Sequence, residues 1–160
     1  MFFHIFFRLF LLFVIYSNGG DMIMDIIIKR MEEKEHNMVL DLYERVFDKK
    51  QIQPFHISDS NGIFVIAKDN DRVVGLVQLD IIVDVFKGIK YGFINSVCTD
   101  AQYRGRSIGD RMIKEVHRIA KEMGCSYIEL TSSDSKKAAH RLYFKNGYVI
   151  RDTNVFRVSL

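Results

Sequence analysis

The chain has 160 residues, of which 48% are hydrophobic, 27% are charged and one is a proline. That length and composition are typical of a single folded domain and exclude a wholly disordered chain, and two cysteines are too few for a disulfide-stabilised scaffold. The net charge of +3 is too small to indicate a nucleic-acid-binding protein by itself.

The N-terminal segment MFFHIFFRLFLLFVIY carries much of the apolar excess. It is shorter than the ~20 apolar residues that a membrane span needs, and Arg8 interrupts it. It also lacks the basic start and the small-residue cleavage site of a signal peptide. Three interpretations remain: a membrane-contact segment, an apolar patch packed on the domain, or translated sequence upstream of the true start. We favour the third, because Met22 and Met24 come just before the first convincing strand, and we therefore predict an extension at residues 1–21 and one domain at residues 22–160.

From residue 22 onward, short β-branched runs alternate with amphipathic segments. Periodicity and turn residues predict, in chain order, a strand at residues 25–29, a helix at 33–47, a loop at 49–61, a hairpin with strands at 64–67 and 73–83, a strand at 91–99, a helix from 108 to 123, a strand at 127–131, a helix at 136–146, and closing strands at 148–150 and 155–158. In the strand at 91–99, alternation places Tyr91, Phe93, Asn95 and Val97 on one face, and Ile94, Ser96 and Cys98 on the other. This order predicts an α/β (mixed α+β) domain with a mixed, mostly antiparallel sheet of about six or seven strands flanked by helices.

The sharpest local feature is the junction between the strand at 91–99 and the next helix, where Arg104 and Arg106 are interspersed with Gly105, Ser107 and Gly109. Small residues let backbone N–H groups approach an anion closely, and a helix N-terminus adds unpaired donors and a positive dipole end. These residues are consistent with a phosphate or pyrophosphate cradle, and also with a tight turn that carries incidental surface arginines. The junction lacks the Gly-Lys-Ser/Thr of a P-loop, and its spacing does not fit a dinucleotide fingerprint.

Two motifs carry a resemblance to a known family. The first reads Gln102-Tyr103-Arg104-Gly105-Arg106-Ser107, and the second reads Ala139-His140-Arg141-Leu142-Tyr143-Phe144-Lys145-Asn146-Gly147-Tyr148. The first resembles the Gln/Arg-x-x-Gly-x-Gly/Ala pyrophosphate loop of the GNAT superfamily of acetyl-CoA-dependent N-acetyltransferases, and the second resembles the family's Ala-x-x-Phe/Leu-Tyr-x-x-x-Gly-Phe/Tyr motif. The similarity covers residues 26–160. It implies a sheet split between its two central parallel strands, acetyl-CoA as co-substrate, and direct transfer of acetyl to a primary amine in a ternary complex.

The resemblance also implies roles for individual residues. Backbone groups of Val97, Cys98 and Thr99 would pair with pantetheine like an added strand, and N–H groups near Cys98 would hold the developing oxyanion. Tyr143 would contact the cofactor and protonate the leaving thiolate. The loop residues implied in cofactor binding are Gln102, Arg104, Gly105, Arg106, Ser107, Ile108 and Gly109. Ser107 departs from the family's Gly or Ala, but serine is small and its hydroxyl can donate to phosphate.

The general base is the least defined part of the site. Several relatives carry a glutamate base in a pattern like Ile-Glu-Asn-Val, and this chain has Ile94-Asn95-Ser96-Val97 instead. An asparagine cannot take a proton at neutral pH, so Asn95 is left as a water relay, together with Ser96. Glu129 on the next strand is the candidate base. The further options are Asp80, Asp84, Asp134 and His140, and for each of these residues a solvated surface position is the alternative.

No metal site is predicted, because the two cysteines lack metal-ligand spacing and the five histidines form no cluster. Cys98 is read as a small buried strand residue, not as an acetyl relay. We predict a cytoplasmic enzyme with a small-molecule or peptide amine as acceptor, without nucleic acid or stable membrane insertion, and dimerisation is common in the family. Two rival readings are a non-catalytic acyl-CoA-binding or regulatory module, motivated by Asn95, and a membrane-associated acyltransferase, motivated by the apolar N-terminus.

Overall fold

The computed structural model describes residues 25–47 and 60–160. The extension at 1–21 and most of the predicted loop at 49–61 lie outside the described residues. The described strands are β1 (Ile27–Arg30), β2 (Ile63–Asp69), β3 (Arg72–Asp84), β4 (Ile89–Thr99) and β5 (Cys125–Leu130), and the helices are α1 (His36–Val46), α2 (Ile108–Glu122) and α3 (Lys137–Lys145). Short 3₁₀ turns precede α1 at Glu33–Glu35 and α2 at Ala101–Tyr103. The three predicted helices and the first five predicted strands therefore form close to their predicted positions.

The strands form one mixed sheet in the order β1-β2-β3-β4-β5. Neighbours are antiparallel from β1 to β4, whereas β4 and β5 are parallel. A hairpin joins β2 to β3 through Asn70 and Asp71, and Asn70 has a φ of +50°, which asparagine tolerates better than most residues. The parallel pair needs a long crossover, which α2 provides. The sheet is mixed and mostly antiparallel, as predicted.

The two closing strands predicted at 148–150 and 155–158 are wrong. Residues 146–160 contain no strand, so the described sheet has five strands and not six or seven. Alternating apolar residues favour a strand, but a strand also needs a partner edge. The backbone of Tyr148 instead donates to the Tyr143 carbonyl oxygen at 3.1 Å, and its hydroxyl lies 3.0 Å from Nε2 of His117. These contacts hold the start of the segment on α3 and α2.

Helices cover both faces of the sheet. On the face that we call the α2 face, α2 and α3 pack against a core that includes Val77, Leu79 and Ile94. On the opposite face, the α1 face, α1 packs against a second core that includes Leu76 and Cys98. Strands β2, β3 and β4 therefore present side chains alternately to two apolar layers, as expected for a sheet between helices.

A bulge in β4 breaks the alternation that the sequence predicts. Ile94 pairs with Leu79 and Ser96 pairs with Gln78, which leaves Asn95 as an extra residue without a partner on β3. An extra residue shifts the following side chains to the other face. Val97 consequently packs in the α2-face core together with Ile94, so the prediction that it shares a face with Asn95 and lies opposite Ile94 is wrong.

Candidate active site

The sheet opens between β4 and β5 at the bulge. The last pair between these strands is Ile94 with Leu130, whereas β4 stays paired with β3 as far as Thr99 with Gly75. On the side of β4 that faces away from β3, the backbone of residues 95–99 therefore pairs with no described strand. Unpaired backbone N–H and C=O groups on such an edge can add an extended ligand as a further strand. Val97, Cys98 and Thr99, which the family resemblance implies in pantetheine binding, lie along this edge.

The loop after β4 has the backbone geometry of an anion cradle. Gly105 has a φ of +78° and Ser107 has a φ of +57°, and α2 begins at the next residue, Ile108. The first N–H groups of a helix have no acceptor within the helix, and the positive end of its dipole lies there. Arg104 and Arg106 are exposed on the same loop. The arrangement is able to hold a pyrophosphate through main-chain donors and two cations.

A buried carboxylate holds the base of this loop. Asp100 is 5% exposed and accepts hydrogen bonds from Nε of Arg45 at 3.0 Å, from Nη2 of Arg72 at 2.9 Å and from the N–H of Gln102 at 3.2 Å. Burial acts to raise the pKa of Asp100, but the Gln102 N–H, the Arg45 hydrogen bond and the charge of Arg72 together lower it below its ordinary value. The N–H of Gln102, predicted as a cofactor contact, is thus paired with Asp100.

Tyr103 anchors the same loop from the other side. It is 7% exposed, and its hydroxyl donates to Oδ2 of Asp69 at 2.7 Å. The guanidinium carbons of Arg72 and Arg106 lie 5.8 and 5.4 Å from the centre of its ring. The roles of Asp100 and Tyr103 were not predicted, because Asp100 lies outside the motif, Tyr103 stands at one of its variable positions, and the partners of both residues are distant in sequence.

Helix α3 docks on the N-terminal turn of α2. Nδ2 of Asn146 donates to Oδ1 of Asp110 at 3.0 Å, and a Cβ at Gly109 would lie only 3.1 Å from a methyl of Leu142. Tyr143 is half-buried against the α2-face core that contains Ile94, and burial raises the pKa of its hydroxyl. Tyr143 therefore keeps its proton at neutral pH and is able to donate it.

Two carboxylates lie on the α1 face at the level of the opening. Asp80 is the register partner of Phe93, and Phe93 is the partner of Glu129, so the three side chains project from the same face of the sheet. Nδ2 of Asn95 donates to Oδ2 of Asp80. The structure thus brings the predicted Asn95 and Glu129 to one surface with Asp80, whereas Tyr143 lies on the opposite, α2 face.

The other base options are placed elsewhere. Asp84 accepts the N–H of Lys87 at 3.1 Å and forms an ion pair with its ammonium group, and these contacts lower the pKa of Asp84. It lies four residues along β3 from Asp80, or about 13 Å. Asp134 is exposed in the loop after β5. His140 contacts the ring of Phe144 on α3 and is therefore on the helix that covers the α2 face.

The side chain of Cys98 lies in the α1-face core, and burial raises the pKa of its thiol to about 12. It carries no thiolate at neutral pH and is a buried strand residue, as predicted. No group of three or more His, Cys, Asp or Glu residues in the described parts of the chain could hold a metal ion. None of the helices in residues 25–47 and 60–160 is long and apolar enough to cross a membrane.

The model of the acetyltransferase (GNAT) family matches residues 23–148 of this chain, a range that contains both motifs. The chain therefore belongs to the GNAT family of acetyltransferases. This membership confirms the family that the two motifs resemble, and it places the chain among the acyltransferases.

A curated relative is the aminoalkylphosphonate N-acetyltransferase of Salmonella typhimurium strain LT2. It is 26% identical to this chain over 93 residues, which make up 58% of this chain and 60% of that protein. The chain thus spans about three fifths of the length of the curated relative that it matches.

Solved structures share the fold. The crystal structure of an aminoglycoside acetyltransferase from an uncultured soil metagenomic sample, in complex with trehalose, has a TM-score of 0.74 at 16% identity and covers 84% of this chain and 96% of that chain. The structure of AAC(6')-Iy in complex with the bisubstrate analogue CoA-S-monomethyl-acetylneamine has a TM-score of 0.72 at 15% identity, with coverage of 84% and 98%. At these identities the likeness shows the fold alone, and it confirms the predicted GNAT-like α/β fold.

Proposed function

We propose that the protein transfers the acetyl group of acetyl-CoA directly to a primary amine in a ternary complex. The observation that carries the proposal is the opening between β4 and β5, which continues into the anion cradle at the start of α2. An extended pantetheine arm and a pyrophosphate need these two features in this order. The family of the chain supports the same co-substrate.

The residues proposed to hold acetyl-CoA fall into two groups. Backbone groups of Val97, Cys98 and Thr99 on the open edge of β4 pair with the pantetheine amides. The loop and the first turn of α2 bind the pyrophosphate, mainly through main-chain donors; these residues are Arg104, Gly105, Arg106, Ser107, Ile108 and Gly109. The cofactor-binding role predicted for Gln102 is proposed to be indirect, because its N–H pairs with Asp100 and thereby supports the loop.

The proposed reaction forms a bond between the amine nitrogen and the acetyl carbon and breaks the bond between that carbon and sulfur. Backbone N–H groups near Cys98 stabilise the charge that develops on the carbonyl oxygen. Tyr143 gives its proton to the sulfur as the thiolate leaves, because burial keeps that hydroxyl protonated at neutral pH.

We propose a small amine, cationic before it reacts, as the acceptor. The relatives are named for aminoalkylphosphonates and aminoglycosides, which are small molecules with amino groups. The α1 face offers the carboxylates of Asp80 and Glu129 beside the opening, and a carboxylate attracts an ammonium group. A free amine of a peptide fits the same requirement and belongs in the same screen.

The proposal is tested by calorimetry with acetyl-CoA and by an assay of CoA thiol release with a panel of amines. We expect saturable binding of acetyl-CoA and CoA release with at least one amine, and a Lys121→Ala variant at the exposed end of α2 serves as the control. No binding at high micromolar acetyl-CoA would remove the proposal. Binding without CoA release from any amine would favour the rival, a non-catalytic acyl-CoA-binding module.

A further inference from the structure

The proposed reaction needs a group that takes a proton from the acceptor. Most alkyl amines are protonated at neutral pH, with a pKa near 10.4, and only the neutral amine is a nucleophile. The bulge of β4 carries Asn95, whose amide cannot take that proton. We propose that Asp80, one strand away on β3, is the general base and that Asn95 is the residue that positions it. This inference rests on the proposed function.

Asp80 lies at the point where the sheet opens. Its register partner Phe93 immediately precedes Ile94, the last residue of β4 that pairs with β5. The bulge at Asn95 turns its amide back across the strand, and Nδ2 of Asn95 donates to Oδ2 of Asp80. A bulge next to a site commonly redirects a side chain in this way.

The surroundings of Asp80 form a socket for a carboxylate. Nε2 of Gln78 donates to Oδ1 of Asp80 at 3.3 Å and lies 3.5 Å from the hydroxyl oxygen of Ser60. A Cβ at Gly62 would lie 2.6 Å from Oδ1 of Asp80, so only glycine leaves room for the carboxylate there. The socket fixes Asp80 in place with neutral amides.

No cation of the described residues forms an ion pair with Asp80, in contrast to Asp84, which pairs with Lys87, and Asp100, which pairs with Arg45 and Arg72. A carboxylate that has no cationic partner among the described residues is able to accept hydrogen bonds from the ammonium group of an acceptor. Asp80 is half-buried, so its carboxylate keeps some exposure on the α1 face.

The two proposed proton-transfer groups lie on opposite faces of the sheet. Asp80 projects from the α1 face, and Tyr143 packs on the α2 face. The acceptor therefore approaches the acetyl carbon from the α1 face, and its ammonium group gives one proton to the Asp80 carboxylate, directly or through one water, which passes it to solvent. The neutral amine then attacks, its nitrogen gives a second proton to Asp80 as the bond between carbon and sulfur breaks, and the leaving thiolate takes the phenolic proton of Tyr143. Solvent removes the second proton from Asp80 and restores that of Tyr143, so each turnover releases one proton.

On the α1 face, the titratable side chains nearest to Asp80 in the strand register are Asp84, Tyr91, Tyr127 and Glu129, and α1 contributes Tyr43, which is hydrogen-bonded to Ser96. Asp84 is engaged by Lys87 in the turn. Glu129 lies two strands from Asp80, about 10 Å away, and is the other carboxylate tested as the base.

The test compares Asp80→Asn, Asn95→Ala and Glu129→Gln with the wild-type chain, using the most active amine of the panel. We expect Asp80→Asn to lower kcat by about 10²-fold or more and to remove the acid limb of the pH profile of kcat/KM. Acetyl-CoA affinity by calorimetry should stay within about twofold. Asn95→Ala should lower kcat by about tenfold and move the acid limb to higher pH, since it removes a donor to the carboxylate. Glu129→Gln removes the second carboxylate beside the opening, so it should raise the KM for the amine and keep the acid limb. Glu122→Gln at the exposed end of α2 is the control, and its kcat should stay within about threefold of wild type.

Wild-type turnover in Asp80→Asn would overturn the assignment and leave the proposed function standing. Loss of the acid limb in Glu129→Gln, with the limb retained in Asp80→Asn, would overturn it in favour of Glu129. Asn95→Ala with an unshifted acid limb would overturn the positioning role of Asn95. Absence of CoA release from the wild-type chain with every amine would overturn the proposed function and the assignment together.

Discussion

Asp100 is a buried carboxylate whose partners come from separate elements. Arg45 belongs to α1 and Arg72 to β3, and both donate to Oδ2 of Asp100 just before the pyrophosphate loop. Arg45 also donates to the carbonyl oxygen of Val73 at 2.6 Å. Because these contacts join α1 and β3 to the loop that is proposed to bind the cofactor, we expect the charge of Asp100 to matter for cofactor binding more than for the chemical step.

We expect Asp100→Asn to raise the KM for acetyl-CoA about tenfold while kcat stays within about twofold. The amide preserves the shape of the side chain, but two hydrogen bonds between charged groups are weakened, at a cost of about 2 kcal/mol in the free energy of unfolding. Steady-state kinetics and urea unfolding measure the two effects. Glu115→Gln, which weakens an exposed pair with Arg118 within α2, is the control and should cost less than about 0.5 kcal/mol. A fall in kcat with unchanged KM would contradict this role.

Tyr143 is expected to act through its hydroxyl alone. Tyr143→Phe keeps the half-buried ring and removes the proton donor, so kcat should fall about 10²-fold while acetyl-CoA affinity changes less than about twofold. The matched control is Tyr148→Phe, because Tyr148 is also half-buried but its hydroxyl contacts His117. Unchanged turnover in Tyr143→Phe, or an equal loss in Tyr148→Phe, would reject the acid role.

His117 should make the fold less stable as the pH falls below the ordinary pKa of histidine, 6.5. Burial lowers the pKa of His117 below its ordinary value of 6.5, so the folded state favours the neutral ring. The stability that this neutral ring contributes is present above pH 6.5 and is lost as pH falls through the lower, folded-state pKa. Thermal unfolding in buffers from pH 8 to 5 should show a falling midpoint, and His117→Gln should flatten the change. His140→Gln on α3 is the control, and a profile of His117→Gln parallel to wild type would contradict the prediction.

At the scale of elements, the pyrophosphate loop depends on two residues with positive φ. Gly105→Ala should lower the free energy of unfolding by about 1 kcal/mol, because its φ of +78° is unfavourable for a side chain. Ser107→Gly should cause no loss, because the φ of +57° already strains the serine. Main-chain donors survive in Ser107→Gly, so its acetyl-CoA affinity should stay near that of wild type, while Gly105→Ala weakens it. Equal behaviour of the two variants in urea unfolding and calorimetry would contradict this account of the loop.

Local sequence patterns predict some elements of this fold and miss others. Helix α2 and the β2–β3 hairpin follow from local periodicity and turn residues, and they form as predicted. The bulge at Asn95 depends on how β4 registers with β3, a long-range match that no local pattern encodes. For that reason the sequence analysis misplaced Val97 and did not bring Asp80 to Asn95. The two closing strands were predicted wrongly for a similar reason. Residues 148–150 and 155–158 have strand propensity, but they do not pair with an edge of the described sheet.

At the scale of the whole molecule, the groups proposed for the two substrates lie on opposite faces of the sheet, on either side of the opening between β4 and β5. The α2 face holds the cofactor cradle and Tyr143, and the α1 face holds Asp80 and Asn95. Arg45 and Asp100 connect the layers at one end of the opening. Gly105→Ala in the loop on the α2 face should therefore weaken acetyl-CoA binding, whereas Asp80→Asn on the α1 face should leave acetyl-CoA affinity near that of wild type.

The division into an extension at 1–21 and a domain at 22–160 stays a prediction, and truncation tests it. A chain that starts at Met22 should unfold within about 2 °C of the full chain and bind acetyl-CoA equally well. A chain that starts at residue 32 is the control and should lose about 2 kcal/mol or more, because it lacks β1 and the buried Ile26. β1 is also tied to α2, where Nη2 of Arg111 donates to the carbonyl oxygen of Ile26 at 2.6 Å.

A marked loss of stability in the chain from Met22 would show that residues 1–21 pack on the domain, and co-sedimentation of only the full chain with liposomes would show a membrane contact. An intact mass of the native protein that begins at Met1 would reject upstream translation as the origin of the extension.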